Sequence, residues 1–351
     1  MSEEVIITEE PQPAGESREQ LAKGFKSLSV KIGAAMIIML VLRLVGSFVS
    51  GLVAPVLPEG TISYIVSTLI SDIFVYAIPI PITYFILREP IKEAGARFYK
   101  KPVYFRKALG MFPAMYGVGI TVNVITMAVM ALISLATGGS GEVENPILSM
   151  QAINPLTAVI MFVNLAIVAP VCEEFWFRGL FMQSLRRYGN GVAIFISAVL
   201  FGLTHGNFQQ FFYATAVGIV LGYVAVATES IVTSTVLHAM LNSVAGIMMV
   251  FLASPSVAKA AEDMLTGTEP VTSPALIGLA VYMCLVGLLL IVGVVMAIFK
   301  LFKIKRYKVP TVQTELSAGA RWGLFFSRPA VVVMMVLVAA VFALQYIPVP
   351  N

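Results

Sequence analysis

Residues 154–185 read NPLTAVIMFVNLAIVAPVCEEFWFRGLFMQSL. From Asn154 to Cys172 there is no charged residue, and at about 1.5 Å per residue such a run crosses most of a ~30 Å hydrocarbon layer as a helix. Two adjacent carboxylates, Glu173 and Glu174, then arrive inside the apolar run, and Arg178 follows. An ionisable side chain at membrane depth costs about 3 kcal/mol or more, so each is a candidate functional residue by default.

Outward from this segment the chain repeats the same apolar character. Candidate spans fall at 32–56, 62–87, 108–137, 154–185, 191–206, 209–228, 231–253, 275–299 and 329–348, the fifth and sixth being short and poorly separated. The fold class expected is all-α, a polytopic transmembrane helix bundle of about eight to nine spans. Helices are the default because a lipid-facing backbone must satisfy its own hydrogen bonds, and the runs lack the period-2 alternation of a membrane barrel. Composition agrees: 58% of residues are hydrophobic, 12% are charged, and mean hydropathy is +0.90, where soluble domains carry about 25% charged residues.

The net charge of +4 sits in loops and points to no nucleic-acid partner. Arg18, Lys23, Lys26 and Lys31 precede the first span; Arg88 to Lys107 crowd the loop after the second; Arg186 and Arg187 follow the fourth; Lys300, Lys303, Lys305, Arg306 and Lys308 follow the eighth. The intervening loops are nearly free of basic residues. This alternation predicts a multi-pass integral membrane protein (of the plasma membrane in a prokaryote) with its N-terminus cytoplasmic. The first ~27 residues are polar and acid-rich, unlike a signal peptide, so the first run is expected to stay as an uncleaved span. Cys172 and Cys284 lie in apolar segments and suggest neither a disulfide framework nor a thiolate metal site. The tail, Gly138–Gly141 and Ser254–Pro274 are the expected flexible parts, and Trp322 is placed at the interface.

Glu174 and Arg178, four apart, share a helix face in the favourable order for pairing, whereas Glu173 points about 100° away. One carboxylate is thereby neutralised and the other is left for chemistry, with Pro170 placed to kink the helix just before them. The protein has only two histidines, His205 and His238, both in later spans. His238 and Asn242 face the same way on one helix. A glutamate, two histidines and an asparagine from three helices can converge on a polar cavity, where they activate water or hold a divalent metal. Cys172 reads as an inert thiol. Arg43 and Asp72, also inside spans, are expected to pair or to line a cavity. Asn123 and Asn164 are expected to hydrogen-bond between helices.

Three motifs now stand in order: Glu173-Glu174-x-x-x-Arg178, Phe201-x-x-x-His205 and His238-x-x-x-Asn242. They resemble the CPBP (CAAX protease and bacteriocin-processing, or Abi) family of intramembrane peptidases. The resemblance covers roughly residues 154–253. It implies a catalytic core at 154–253, which the apolar runs flank with a polar cytoplasmic tail at 1–31, N-terminal transmembrane helices at 32–153 and C-terminal transmembrane helices at 254–351. It also implies that Glu173 is the general base, that His205 helps hold and deprotonate the water, that His238 and Asn242 stabilise the oxyanion, and that Glu174 and Arg178 brace the site. Partners would be membrane lipid and a peptide or prenylated-protein substrate. No cofactor is required by this reading. The His-Glu-x-x-His zinc signature is absent, although Glu173, His205 and His238 could form a zinc set with an open position, so a metallopeptidase is the other mechanism. Outside catalysis, the alternatives are a non-catalytic scaffold or bacteriocin-immunity factor, and a transporter relaying protons through its buried charges.

Overall fold

The computed structural model describes residues 17–95, 98–138, 154–266, 274–303 and 316–344. Among these, every regular element is helical. Helix α1 spans Arg18–Val53, and a capping box between Ser17 and Gln20 fixes its start. It begins well before the first apolar residue of the expected span because that cap and the amphipathic turns after it extend the helix into the polar segment. Next come α2 (Thr61–Glu93), α3 (Phe105–Ala136), α4 (Pro155–Tyr188), the shorter α5 (Asn190–Thr204), α6 (Phe208–Ala227) and α7 (Ile231–Leu252). The chain continues with α8 (Pro255–Thr266), α9 (Pro274–Phe302), α10 (Ala318–Phe326) and α11 (Pro329–Leu344). Local chemistry sets the starts: Asn154 caps α4 in a capping box with Thr157, Asn207 caps α6, and Ser230 caps α7.

Seven of these helices are long and apolar enough to cross a membrane, and the α10–α11 pair, bent by 68°, would make an eighth. The fifth candidate span is the short one. With 15 residues, α5 rises only about 22 Å, and the chain turns back at Gly206, whose φ of +75° suits glycine. The supposedly loose stretch after Ser254 contains α8; residues 1–16 and 139–153 lie outside the described residues.

Helix α4 is the hub, packed against α5 and α7, while α6 lies against α5, α3 and α7, and α1 lies between α2 and α11. Phe25, Trp176, Phe177, Leu180, Phe181 and Met36 are fully buried in the main core. A second cluster joins Phe112 and Met115 of α3 to Val217, Leu221 and Leu237. Backbones of α3 and α9 meet at Gly117 and Gly293, where a Cβ on either residue would run into the other helix's backbone, the small-residue contact typical of membrane helices. Outward-facing Phe48, Leu132 and Ile291 are about two-thirds exposed and suit lipid rather than water.

Ion pairs tie helix ends and loops together. Arg187 at the end of α4 pairs with Glu93 at the end of α2 at 2.5 Å, and Lys100 reaches Glu229 at 3.2 Å. Phe25, near the start of α1, stacks edge-on against Tyr188 at 4.8 Å.

Candidate active site

Three widened, π-type segments shape the site. In α4, Ala169 N–H bonds to the Asn164 carbonyl rather than to that of Leu165. The next residue is Pro170, which has no N–H, so Leu165 is left without a donor from its own helix. Asn242 of α7 supplies one, its Nδ2 lying 2.8 Å from the Leu165 carbonyl. In α2 the arrangement repeats: Ile78 N–H bonds to Ile73 at 2.9 Å, and Pro79 follows. A second wide segment of α4, Phe175–Met182, comes directly after the glutamates, and Ser197 of α5 bonds to its Phe177 carbonyl at 2.8 Å. These turns re-aim side chains that a regular helix would present elsewhere.

Glu173 and Glu174 accordingly occupy different surroundings. Glu174 is fully buried, and its Oε1 accepts from Arg178 Nη1 at 2.8 Å and from His238 Nδ1 at 3.0 Å. Arg178, also fully buried, donates through Nη2 to the Gly218 carbonyl at 3.1 Å; its guanidinium lies over the Phe201 ring at 4.7 Å. Glu173 remains partly accessible, and its Oε1 accepts from the Tyr76 hydroxyl at 2.9 Å. Its Oε2 is 3.7 Å from His238 Nε2, beyond hydrogen-bond length.

The histidines arrive from two sides. His205 follows the last residue of α5, and its Nδ1 lies 3.0 Å from the Phe201 carbonyl. A carbonyl only accepts, so Nδ1 carries the proton and a neutral His205 keeps a lone pair on Nε2. The same logic at the Glu174 carboxylate puts a proton on Nδ1 of His238. Phe201 packs edge-on against both imidazoles, at 5.0 Å from His205 and 5.5 Å from His238.

A cavity of about 570 Å³ opens beside Glu173. Its polar wall comprises Arg43, Ser47 and Ser50 of α1, Ser71 and Tyr76 of α2, Glu173, His205 and Gln210. Of the residues expected at the site, Glu173 and His205 line this cavity. His238 touches Glu173 from behind, Glu174 and Arg178 form the buried brace, and Asn242 sits at the Leu165 turn. Arg43 and Asp72 do not pair with each other: Arg43 lines the cavity and donates to the Thr204 carbonyl, and Asp72 accepts from Asn164 Nδ2 at 2.6 Å. Asn123 also bonds between helices, to the Gln209 carbonyl at 3.4 Å. Tyr76 and Gln210 were missed in the sequence because a lone tyrosine or glutamine in an apolar run carries no distinguishing signal.

Among the described residues, no group of three or more His, Cys, Asp or Glu side chains is arranged to hold a metal ion. Both histidines commit Nδ1 and leave Nε2 open, the usual arrangement of a metal-ligating imidazole, although Glu173, His205 and His238 are not gathered as a three-ligand set.

Residues 155–244 match the family model described as Rce1-like, type II CAAX prenyl endopeptidase Rce1-like. This segment is similar to CAAX-type membrane proteases. The CAAX-protease segment runs from the start of α4 to the middle of α7 and contains all three motifs, about a quarter of the chain. No curated protein and no solved structure matches the chain. With its long apolar helices, the CAAX-protease segment identifies a multi-pass integral membrane protein.

Proposed function

We propose that the protein is an intramembrane endopeptidase that hydrolyses peptide bonds of membrane-associated or lipidated, CAAX-like substrates with water activated by Glu173. The observation that carries this reading is the Glu173 carboxylate itself, held by Tyr76 at 2.9 Å on the wall of a polar cavity among membrane helices. A carboxylate within hydrogen-bond reach of a water is a competent general base.

In this scheme a water in the cavity gives one proton to Glu173, and its oxygen attacks the scissile carbonyl. The lone pair on His205 Nε2 orients that water. Tyr76 steadies one carboxylate oxygen, leaving Oε2 for proton transfer. Oxyanion stabilisation falls to His238 and Asn242. His238 can donate from Nε2 only as an imidazolium, because its other N–H is given to Glu174, and Asn242 retains one amide N–H beyond the bond to Leu165. Glu173 then returns its proton to the leaving amine. Arg178 and Glu174 hold His238 in place. The alternation of basic loops along the sequence makes the N-terminus cytoplasmic.

The test uses wild type and Glu173→Ala protein purified in detergent, with a quenched fluorescent prenylated peptide and a pool of hydrophobic peptides, and metal analysis on the same samples. Cleavage by wild type and none by a folded Glu173→Ala is the expected result. A stoichiometric metal whose removal abolishes cleavage would replace the metal-free scheme. Two folded, inactive proteins would turn the reading toward a scaffold or immunity factor.

A further inference from the structure

Arg43 is a cation within a membrane-spanning helix, and among the described residues no carboxylate is in ion-pair contact with it. A charge at that depth is normally paired or placed in a water-filled cavity. It lies on the stripe formed by Arg43, Gly46, Ser47 and Ser50, which is one face of α1 by helical spacing and one wall of the cavity. Gly46 lets Phe74 of α2 approach this wall closely.

The guanidinium is oriented toward the reaction centre. Its Nη1 donates to the carbonyl of Thr204, the residue before His205, and both terminal nitrogens lie against Gly206. A guanidinium has five N–H donors in a fixed fork. Among the described residues one hydrogen bond, to Thr204, engages this fork, and Arg43 lines the cavity that also contains Glu173. The local excess of unused donors suits a planar, two-oxygen anion better than it suits water.

A peptide substrate offers two kinds of such anion: an acidic side chain and the α-carboxylate at its C-terminus. A cavity of about 570 Å³ has the size of a site for a compact ligand. The CAAX-like substrates of the reading above end close to the scissile bond, and a chain end always brings its carboxylate.

We propose that Arg43 is a specificity-determining residue that binds the free C-terminal α-carboxylate of the substrate and so registers the scissile bond against Glu173. This rests on the peptidase reading above. Arg43 lies in α1, outside the segment that matches the CAAX-protease family, so the match assigns it no role.

The experiment separates binding from cleavage. A fluorescent, S-farnesylated peptide ending Cys-Val-Ile-Met is made as the free acid and as the C-terminal amide, and its anisotropy is titrated with full-length Glu173→Gln protein, with and without a second change at Arg43. The acid is expected to bind at least about 30-fold tighter than the amide, the scale of a lost partner in a desolvated charge pair. Arg43→Gln should bring that ratio near one, and Arg43→Lys should fall between, retaining the charge without the fork. On the wild-type background, Arg43→Gln should raise KM for the acid far more than it lowers kcat. Equal binding of acid and amide, or of neither, overturns the proposal. So does a preference for the acid that survives Arg43→Gln, or an equal fall in kcat on acid and amide. Discrimination at Arg43 without cleavage by wild type would instead retain the anchor and overturn the peptidase reading.

Discussion

Glu173 and Glu174 are neighbours in the chain and belong to two different regions of the molecule. Glu174, Arg178 and His238 form a closed brace in which the pair is fully buried and each charge is held by the next. Glu173, Tyr76, His205 and Arg43 face a cavity lined with hydroxyls and an amide. One helix supplies both regions because a single residue step turns a side chain by about 100° and because the wide turns around Pro170 adjust where the two faces look. A buried ion pair contributes little net stability yet is costly to break, so the brace fixes geometry, whereas the cavity residues remain free to exchange partners with substrate and water.

The sharpest way to break this comparison is to neutralise each carboxylate in turn. Glu173→Gln keeps the shape and removes the base, and turnover should fall by about 10³-fold or more, within reach of what a general base contributes, while thermal unfolding in detergent stays nearly unchanged. Glu174→Gln should do the reverse in emphasis, with a clear loss of stability. If the Glu174 change cost activity at unaltered stability and the Glu173 change did not, the assignment of the two regions would be inverted.

The brace itself predicts the next effect in size. Arg178→Met leaves Glu174 charged and unpaired apart from His238, and should destabilise the protein by about 3–5 kcal/mol. Replacing both partners, Glu174→Leu with Arg178→Met, should restore most of that loss while activity stays low, because His238 has lost its anchor. Unfolding monitored by the remaining soluble fraction after heating would read both variants. A double variant as unstable as the single one would show that the pair is not a self-contained brace.

Much of this was open to reading from the sequence, and the limits are physical. The apolar runs announced a membrane bundle because no other solvent accepts such surfaces, and the angular step between Glu173 and Glu174 announced their division of labour. Arg43 and Tyr76 reach the site from α1 and α2, and helical spacing within a run says nothing about which runs pack together. His205 was expected within a span, and the short α5 instead sets it in a turn. Asn242 was expected beside His238 on the strength of four-residue spacing. Pro170 reads in the sequence as a kink, whereas the carbonyl that its missing N–H leaves open depends on the widened register of the preceding turn.

Asn242 therefore allows a discriminating measurement of intermediate size. Asn242→Ala leaves the Leu165 carbonyl unsatisfied and should cost about 1–3 kcal/mol of stability. A role in oxyanion stabilisation adds a fall in kcat of about 10²-fold or more. Loss of stability with a small change in kcat would confine Asn242 to repair of the α4 turn and leave the oxyanion to His238.

The smallest expected effect tests how tightly the cavity region is held. Tyr76→Phe removes one hydroxyl from the Glu173 carboxylate and nothing from the brace. A hydrogen bond to a charged group is worth about 1.5–3 kcal/mol, but the loss here is partial, because water can enter the cavity and replace the hydroxyl. The fall in kcat should therefore be near 10-fold, with KM for a prenylated peptide and the unfolding temperature little changed. The result also bears on how Glu173 is poised. A free carboxylate can rotate toward His238, so Tyr76→Phe should make activity more sensitive to a second change at His238 than it is in wild type. A double-mutant cycle of Tyr76→Phe and His238→Gln that is strictly additive would mean that the two residues hold Glu173 independently, and that the cavity and the brace meet at this carboxylate without being coupled through it.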